Sequence, residues 1–549
     1  MIEKPEISQS DTKPKILILG AGVMQGPALK IAAELGLEAV AADADSGAVC
    51  IPLAARFEKV DLKDREGIEA LGRSLMEESL HGSGGLAGIM TAGTDFSATV
   101  AWAAEKLKLP GIPFEAALDA SDKERMRRRF REAGVPSPEF VIMKEVPHEG
   151  DASPFQGAPF SWPLVVKPVD NMGARGCRRV DNFAELKTAV SEALAFSRSG
   201  RAIVEEYMDG PEFSVDALVY QGEITICGFA DRHIFFPPYF IEMGHTMPSA
   251  EDPAVIKSLV ETFCRGVKAL GITNGAAKGD IKLSSRGPMI GEIAARLSGG
   301  YMSGWTYPYS SGVLPTRGAI EIALGKKPSR TRPEWNWVSA ERAFISIPGR
   351  VRSIEGVEKA RVMPWVRDVF MRIKPGSRVI FPENNVTKCG NVISAAASRQ
   401  EAIDSAENAA RSILIRLETP DEATDAFLGR FNESQFHESR SGERTLFPPD
   451  AFTVDSRLLS HLSAMPDTKG ISHLFPFPEF TESGLRDYVG RSVKECIDAV
   501  RTLTGMDLPI GGNSGGEAGF LGRSFWRALI RGGYQGAVYY IDSLRNNGK

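Results

Sequence analysis

Two glutamates, Glu205 and Glu212, carry the first hint of chemistry in this chain. In the run Ile203-Val204-Glu205-Glu206-Tyr207-Met208-Asp209-Gly210-Pro211-Glu212-Phe213-Ser214-Val215-Asp216, strand-like stretches flank an acidic bend closed by Gly-Pro. Carboxylates on the two sides of such a bend can reach into one cleft, one near its back wall and one near its mouth. A nucleotide asks for that layout. Its adenine amino group needs an acceptor deep in an apolar slot, and its ribose hydroxyls need one further out. The same residues also make a plain hairpin with a solvated acidic tip, and this stretch alone does not separate the two.

Upstream, Pro163-Leu164-Val165-Val166-Lys167-Pro168 reads as a buried strand ending in Lys167, followed by a loop with Gly173 and Gly176. Glycines let backbone N–H groups close over phosphate oxygens, and a lysine at the strand end adds a fixed positive charge. No Gly-Lys-Ser/Thr follows, so this is not a Walker A loop. Downstream, Gly275 to Leu283 and Met289 to Gly300 read as a hairpin closing around Arg286, in a register that sets Asp280 opposite Glu292. Directly opposed residues have Cβ atoms about 5 Å apart, where like charges destabilise a sheet. A divalent cation between them resolves the conflict, and oxygen ligands point to Mg²⁺, with Mn²⁺ as a substitute. Neutralisation by Lys278 or Lys282, or a register slip, would resolve it too.

With these pieces in this order, the chain resembles the ATP-grasp superfamily of ligases from about Lys15 to Glu418. A lysine opens the basic helix Asp122-Lys123-Glu124-Arg125-Met126, ahead of Gly134-Val135-Pro136-Ser137-Pro138. Lys167 and its glycine loop follow, then the Glu-Glu-Tyr-Met…Gly-Pro-Glu bend, then the acid pair and Arg296. The resemblance implies that Lys123, Lys167 and the Gly173/Gly176 loop contact the ATP phosphates. It implies that Glu205 and the backbone of Met208 hold adenine, Glu212 the ribose, and Asp280 and Glu292 magnesium. Many members carry Asn two residues after the second acid; Ala294 stands there, so a second metal would have fewer protein ligands. The run Glu-Ile-Ala-Ala-Arg-Leu-Ser-Gly-Gly is most similar to L-amino-acid ligases of the bacilysin-synthetase type, which also carry Glu-x-x-His on a loop upstream of the acids, matching Glu242 and His245. That likeness implies a carboxylate–amine ligase forming an acyl-phosphate. Arg296 and, second to it, Lys278 would steady the transferred phosphate. Glu242, His245, Ser298 and Gly299 would border the amino substrate.

These groups need elements to position them. The expected architecture is α/β: a tail over residues 1–13, a Rossmann-like domain over 14–115, an ATP-grasp core of two α+β subdomains over 116–419 (phosphate-loop subdomain about 140–210), and an extension of uncertain fold over 420–549. Helices are expected over Asn182 to Ser199, Pro253 to Gly271, Arg399 to Leu417 and Ser524 to Arg545. Trp305, Tyr307 and Tyr309 read as core or as pocket lining. The strand-turn-helix start Lys15 to Gly26, with Asp43 and Asp45 ending the second strand, also suits a dinucleotide. A dehydrogenase is therefore a rival reading, beside an ATP-dependent carboxylase and a non-catalytic nucleotide-binding regulator. No biotin-carrying Met-Lys-Met is present.

Composition bounds the partners. The chain has 549 residues, 25% of them charged, with a net charge of −5, so no basic face for nucleic acid is implied. The six cysteines are scattered without a C-x-x-C pair, which suits a reducing compartment and no zinc site. The polar start has no apolar signal core, and no apolar run is long enough to span a membrane. Cytoplasm is the expected location. Small-molecule carboxylate and amine substrates are the expected partners, with a homodimer left open.

Overall fold

The computed structural model describes residues 13–78, 84–148, 161–429, 450–464, 480, 483–505 and 523–546. The tail expected over residues 1–13 lies, except for Lys13, outside the described residues. So do the glycine-rich run 511–519, the Phe475–Pro478 segment and the middle of the Glu145 to Pro163 insertion.

The chain opens with a parallel sheet, β1 (Lys15–Leu19), β2 (Glu38–Asp43), β3 (Arg56–Lys59) and β4 (Leu86–Thr91), in the order β3-β2-β1-β4. All five residues of β1 are buried. A strand covered on both faces reads as an unbroken apolar run, which is what Ile16 to Leu19 shows. Next comes an antiparallel sheet of β5 (Phe140–Met143), β6 (Leu164–Pro168), β7 (Arg178–Val180) and β8 (Ala202–Glu206), ordered β5-β8-β6-β7. The helix Phe183–Phe196 covers it with Leu186, Ala189, Val190 and Ala193, and Asn182 caps that helix by accepting from Glu185 N at 3.0 Å.

The largest sheet has eight strands: β9 (Glu212–Tyr220), β10 (Glu223–Phe235), β11 (Ile241–Met247), β12 (Gly275–Ser284), β13 (Gly287–Ala294), β14 (Val338–Phe344), then, past β15 (Gly349–Glu355), β16 (Val366–Met371) and, past β17 (Arg378–Val379), β18 (Gly390–Ala396). Their order is β13-β12-β9-β10-β11-β14-β18-β16. The helix Pro253–Ala269 lays Leu259, Phe263 and Val267, four residues apart, against Phe213, Val215, Ile281 and Ile293 in one core.

Two expectations change here. The helix expected over Arg399 to Leu417 ends at Ser412, and β19 (Leu414–Leu417) follows, pairing antiparallel with β15. Ile413, Leu414 and Ile415 are all buried, and apolar β-branched residues there gain more from a sheet than from a further helical turn. Glu242 and His245 sit on β11, not on a loop, because that segment pairs with both β10 and β14.

The last helix, Arg523–Asn546, docks on the core. It packs Phe525, Leu529 and Ile530 against Phe452 and Val493, while its Ala528 and Tyr539 join Ile347, Val351 and Leu417. Gln535 clamps the junction, accepting from Ile347 N at 3.0 Å and donating to Ile415 O at 2.9 Å. Among the described residues no helix is long and apolar enough to cross a membrane, and all six cysteines are free.

Candidate active site

A cleft of about 540 Å³ lies where three sheets meet. Gly93 to Phe96, just past β4, form one wall; β6 and its loop form the roof; β10 to β13 form the floor. Placement beyond the carboxyl end of a parallel strand follows from the fold, since that is where backbone ends and loops converge.

Lys123, Lys167, Gly173, Glu205, Met208, Glu212, Glu242, Lys278, Asp280, Glu292, Arg296 and Gly299 all line this one cleft. Lys123 is buried at the first turn of the helix Lys123–Glu132, where a cation opposes the helix dipole. It is tolerated because it faces Glu292 at 3.6 Å and donates to Asn171 O in the glycine loop at 2.9 Å. That loop turns through left-handed backbone at Gly173 (φ 69°) and Gly176 (φ 65°). The bend at Gly210 is equally demanding: a Cβ there would lie 2.0 Å from Leu283 O.

Glu205 lines the cleft with cationic partners that its sequence neighbours do not reveal. It is buried, and both carboxylate oxygens are committed, Oε1 to Arg127 Nε at 2.8 Å and Oε2 to Lys167 Nζ at 2.7 Å. Burial pushes its carboxyl up, but Arg127 and Lys167 outweigh that and hold it down. Each of its oxygens thus already takes one cationic donor, and the pairing aims Lys167. Met208 lines the cleft with its carbonyl taken by Lys282 Nζ at 2.9 Å. Arg127 also donates to Gly291 O at 2.6 Å, tying the helix to β13. The sequence did carry a signal for it, since Arg127 stands four residues after Lys123 on one helix face.

The register pairs Asp280 with Glu292 across β12 and β13, beside a bulge. The acids are not bare. Asp280 contacts Lys278 and Arg232 (2.5 Å), and Glu292 faces Lys123. Burial pushes Glu292 up, yet Lys123, Lys278, Lys167 and Arg296 together bring its carboxyl down to about 2. Two carboxylates on facing strands, one of them firmly ionised, suit Mg²⁺, which commonly takes one or two carboxylates and completes its shell with phosphate and water. Among the described residues there is no group of three or more His, Cys, Asp or Glu able to hold a metal unaided.

Arg232 sits at the centre of the floor and was not singled out from the sequence. Its guanidinium contacts Glu212, Glu242 (2.6 Å) and Asp280 (2.5 Å). The available signal was the charged run Asp231-Arg232-His233 inside an otherwise apolar strand. Glu242 faces the cleft, and its Oε1 has no hydrogen-bond partner among the described residues. Burial raises the Glu242 carboxyl, but Arg232, then His245 and Lys388, hold it well below the usual range.

His245 and Ser298 do not reach the cleft wall. His245 is fully buried behind Glu242, with Nε2 3.0 Å from Thr306 Oγ1 and Nδ1 3.3 Å from Glu341, near enough for charge attraction but out of line for a hydrogen bond. Burial opposes its protonation, and the two carboxylates overcome that and raise its pKa. Ser298 donates to buried Asp216 at 2.6 Å, as does Ser303, which pins the segment bearing Arg296 and Gly299. Gly176, expected on the phosphates, packs instead toward Phe196 and Pro168. Tyr307 is core, Tyr309 donates to Asp368 at 2.6 Å, and neither they nor Trp305 line the cleft.

Residues 372–388 close the far side, a contribution with no motif to reveal it. Arg372, Asn385, Val386 and Lys388 line the cleft. Asn385 donates its backbone N–H to Gly173 O at 2.9 Å, and its Oδ1 accepts from Glu242 N at 2.8 Å, so it latches the glycine loop to β11.

The turn after β1 is already filled. Ala21 N donates to Asp43 Oδ2 at 2.8 Å and Gly22 N to Gln25 Oε1 at 2.9 Å. Backbone donors that a pyrophosphate would need are spent on the chain itself, which speaks against the dehydrogenase reading.

Residues 160–304 match the ATP-grasp domain family, and residues 343–418 match L-amino acid ligase C-terminal domain 2. Fold, cleft and matches define the class as far as the domains go: the chain carries an ATP-grasp domain followed by a domain of the L-amino acid ligase C-terminal type. The chain is similar to an uncharacterised protein of Sinorhizobium fredii, 25% identical over 332 residues (60% of this chain, 68% of that protein). It is also similar to the L-arginine-specific L-amino acid ligase of Bacillus subtilis, 24% identical over 279 residues (49% of this chain, 66% of that one). The crystal structure of an L-amino acid ligase from Bacillus licheniformis superposes with a TM-score of 0.64 at 22% identity, covering 74% of this chain and 100% of that one, which shows the shared fold.

Proposed function

We propose that the protein joins a carboxylate to an amine through an acyl-phosphate, using ATP and releasing ADP and phosphate, with amino acids as substrates. The observation that carries this reading is the single cleft in which cationic Lys123, Lys167 and Arg296, the acid pair Asp280/Glu292 and the half-free carboxylate of Glu242 converge.

ATP lies with its ribose at Glu212 and its phosphates under the glycine loop, against Lys123 and Lys167. A substrate carboxylate oxygen attacks the γ-phosphorus as the bond to the ADP oxygen breaks, and charge spreads over the equatorial oxygens. Asp280 and Glu292 would hold magnesium, which supplies neutralisation of that charge when bound. Arg296 forms no ion pair among the described residues, and its Nη1 donates to Leu297 O at 3.0 Å. Its remaining donors are free to grip the acyl-phosphate and then the tetrahedral oxyanion. The Glu242 carboxylate receives the ammonium of the incoming amino substrate. The ammonium gives up one proton to bulk water; as its nitrogen bonds to the acyl carbon the second proton passes to the departing phosphate, which leaves with the former acyl oxygen. Gly299 and Gly300 beside Arg296 leave volume for a large side chain.

An ADP-release screen over amino acids and small carboxylates, singly and in pairs, tests the reading. ADP formation that needs an amine partner supports it. ADP formation with bicarbonate alone, or reduction of a nicotinamide, overturns it.

A further inference from the structure

Three acids with three different assignments share one cation. Glu212 is assigned to the ribose, Asp280 to the metal and Glu242 to the amine, and the Arg232 guanidinium contacts all three. Its side chain is only 8% exposed, and its Nε makes no hydrogen bond among the described residues. A rigid planar fork can bridge several carboxylates at once in a way that a lysine ammonium cannot. Strand pairing places it: β10 runs between β9 and β11, so Arg232 lies opposite Glu212 on one side and His245 on the other.

We infer that Arg232 is a positioning residue that stands in for the metal ion in the nucleotide-free enzyme, neutralising Asp280 until a divalent cation takes that role. It also fixes Glu242 Oε2, which leaves Oε1, buried and without a hydrogen bond among the described residues, as the oxygen still to be satisfied. Two positive centres compete for Asp280, so Arg232 lowers the enzyme's affinity for a metal that arrives without nucleotide. Loading of Mg²⁺ with ATP then shifts the guanidinium toward Glu212 and Glu242, linking the nucleotide side of the cleft to the amine side. Lys278 also contacts Asp280, but it lies on the same strand and reaches neither Glu212 nor Glu242 in this structure.

The test uses Mn²⁺ alone, with binding followed by electron paramagnetic resonance, on the full chain without nucleotide. Arg232→Met should bind Mn²⁺ at least tenfold more tightly than the unaltered protein, and adding Asp280→Asn should abolish that gain. The melting temperature of the metal-free variant should fall, while the increment given by Mn²⁺ should grow. If Arg232→Met does not fold, Arg232→Lys, which keeps one charge but loses the fork, should bind Mn²⁺ about threefold more tightly. Unchanged or weaker Mn²⁺ binding in the folded variant overturns the inference, since a purely structural arginine would lower stability and metal affinity together. The part concerning Glu242 rests on the ligase reading; the metal measurement does not, so failure of one is distinguishable from failure of the other.

Discussion

The Arg127–Glu205–Lys167 triad gives a prediction with a calculable size. The Arg127 side chain is 0% exposed, that of Glu205 2% and that of Lys167 14%. Glu205→Gln keeps the shape and removes the charge, leaving a guanidinium and an ammonium to share a neutral amide. Removing one partner of a buried ion pair typically costs about 3–5 kcal/mol, because the other charge stays desolvated without compensation. For a unit of 150–250 residues, about 2–4 °C of melting temperature accompanies each kcal/mol, so the transition should drop by roughly 6–20 °C. Scanning calorimetry of the metal-free protein reads this directly. The same logic makes an unusual demand on a double variant. Arg127→Met with Glu205→Leu fills the space with apolar groups, and Lys167 can extend toward the cleft and solvent. The double variant should therefore be more stable than either single one, by about 2 kcal/mol or more. A loss below about 1 kcal/mol for Glu205→Gln, or simple additivity in the double variant, refutes the claim that Glu205 is a buried counter-ion and reopens its role as adenine acceptor.

Further outcomes follow from other parts of the cleft. Asp280→Asn and Glu292→Gln should each abolish ADP release; neither should raise the melting temperature, because each acid already faces a lysine or arginine. Arg296→Ala should lower kcat by about 10²–10³ while KM for ATP moves little, as expected for a donor that meets charge formed in the transition state. If instead nucleotide binding and melting temperature fall together and kcat survives, Arg296 is structural. Glu242→Ala should raise KM for the amino substrate about tenfold, a change of roughly 1.4 kcal/mol, with KM for ATP nearly constant. His245 has a folded pKa raised above its ordinary 6.5. Its contribution to stability is full below the unfolded value of about 6.5 and is lost as pH rises through the folded one. The stability difference between the unaltered protein and His245→Gln should therefore shrink as pH is raised from about 6 toward 9, and a constant difference would refute it.

The parts legible in the sequence were those written in local pattern. The hairpin register followed from two strand-like runs around Ser285-Arg286, and the structure pairs Asp280 with Glu292 as that register requires. The parallel opening sheet followed from the strand-turn-helix start at Lys15 to Gly26, and the helix expected over Pro253 to Gly271 is found over Pro253–Ala269. What escaped was compensation across strands. Read alone, Asp280 and Glu292 are two like charges in conflict, and a metal is the obvious resolution. In the folded chain Arg232 arrives from β10, Lys123 from a helix some 170 positions earlier than Glu292, and each acid already has a partner. Sequence spacing carries no trace of that, because β10 reaches Asp280 across β9 through a side chain as long as arginine's. The same holds for Glu205, whose apparent freedom vanished once Arg127 and Lys167 closed on it. Residues 372–388 were invisible for a different reason: they act from a loop and strand ends, where neither period nor motif marks function.

That late segment changes how the cleft is understood. Its Asn385 holds both the glycine loop, through Gly173 O, and the strand bearing Glu242, through Glu242 N. Lys388 donates to Glu242 O at 2.6 Å, and Arg372 donates to Asn385 O at 3.1 Å. One short stretch of chain thus fastens the glycine loop to the strand bearing Glu242. A nucleotide that pulls the glycine loop down works against the same residue that fixes β11. The phosphate and amine sides of the cleft are therefore joined twice: through the backbone at Asn385, and through charge at Arg232. One junction depends on hydrogen bonds and the other on ion pairs, yet with the Arg232 side chain only 8% exposed salt should weaken the second little, even though both share Glu242.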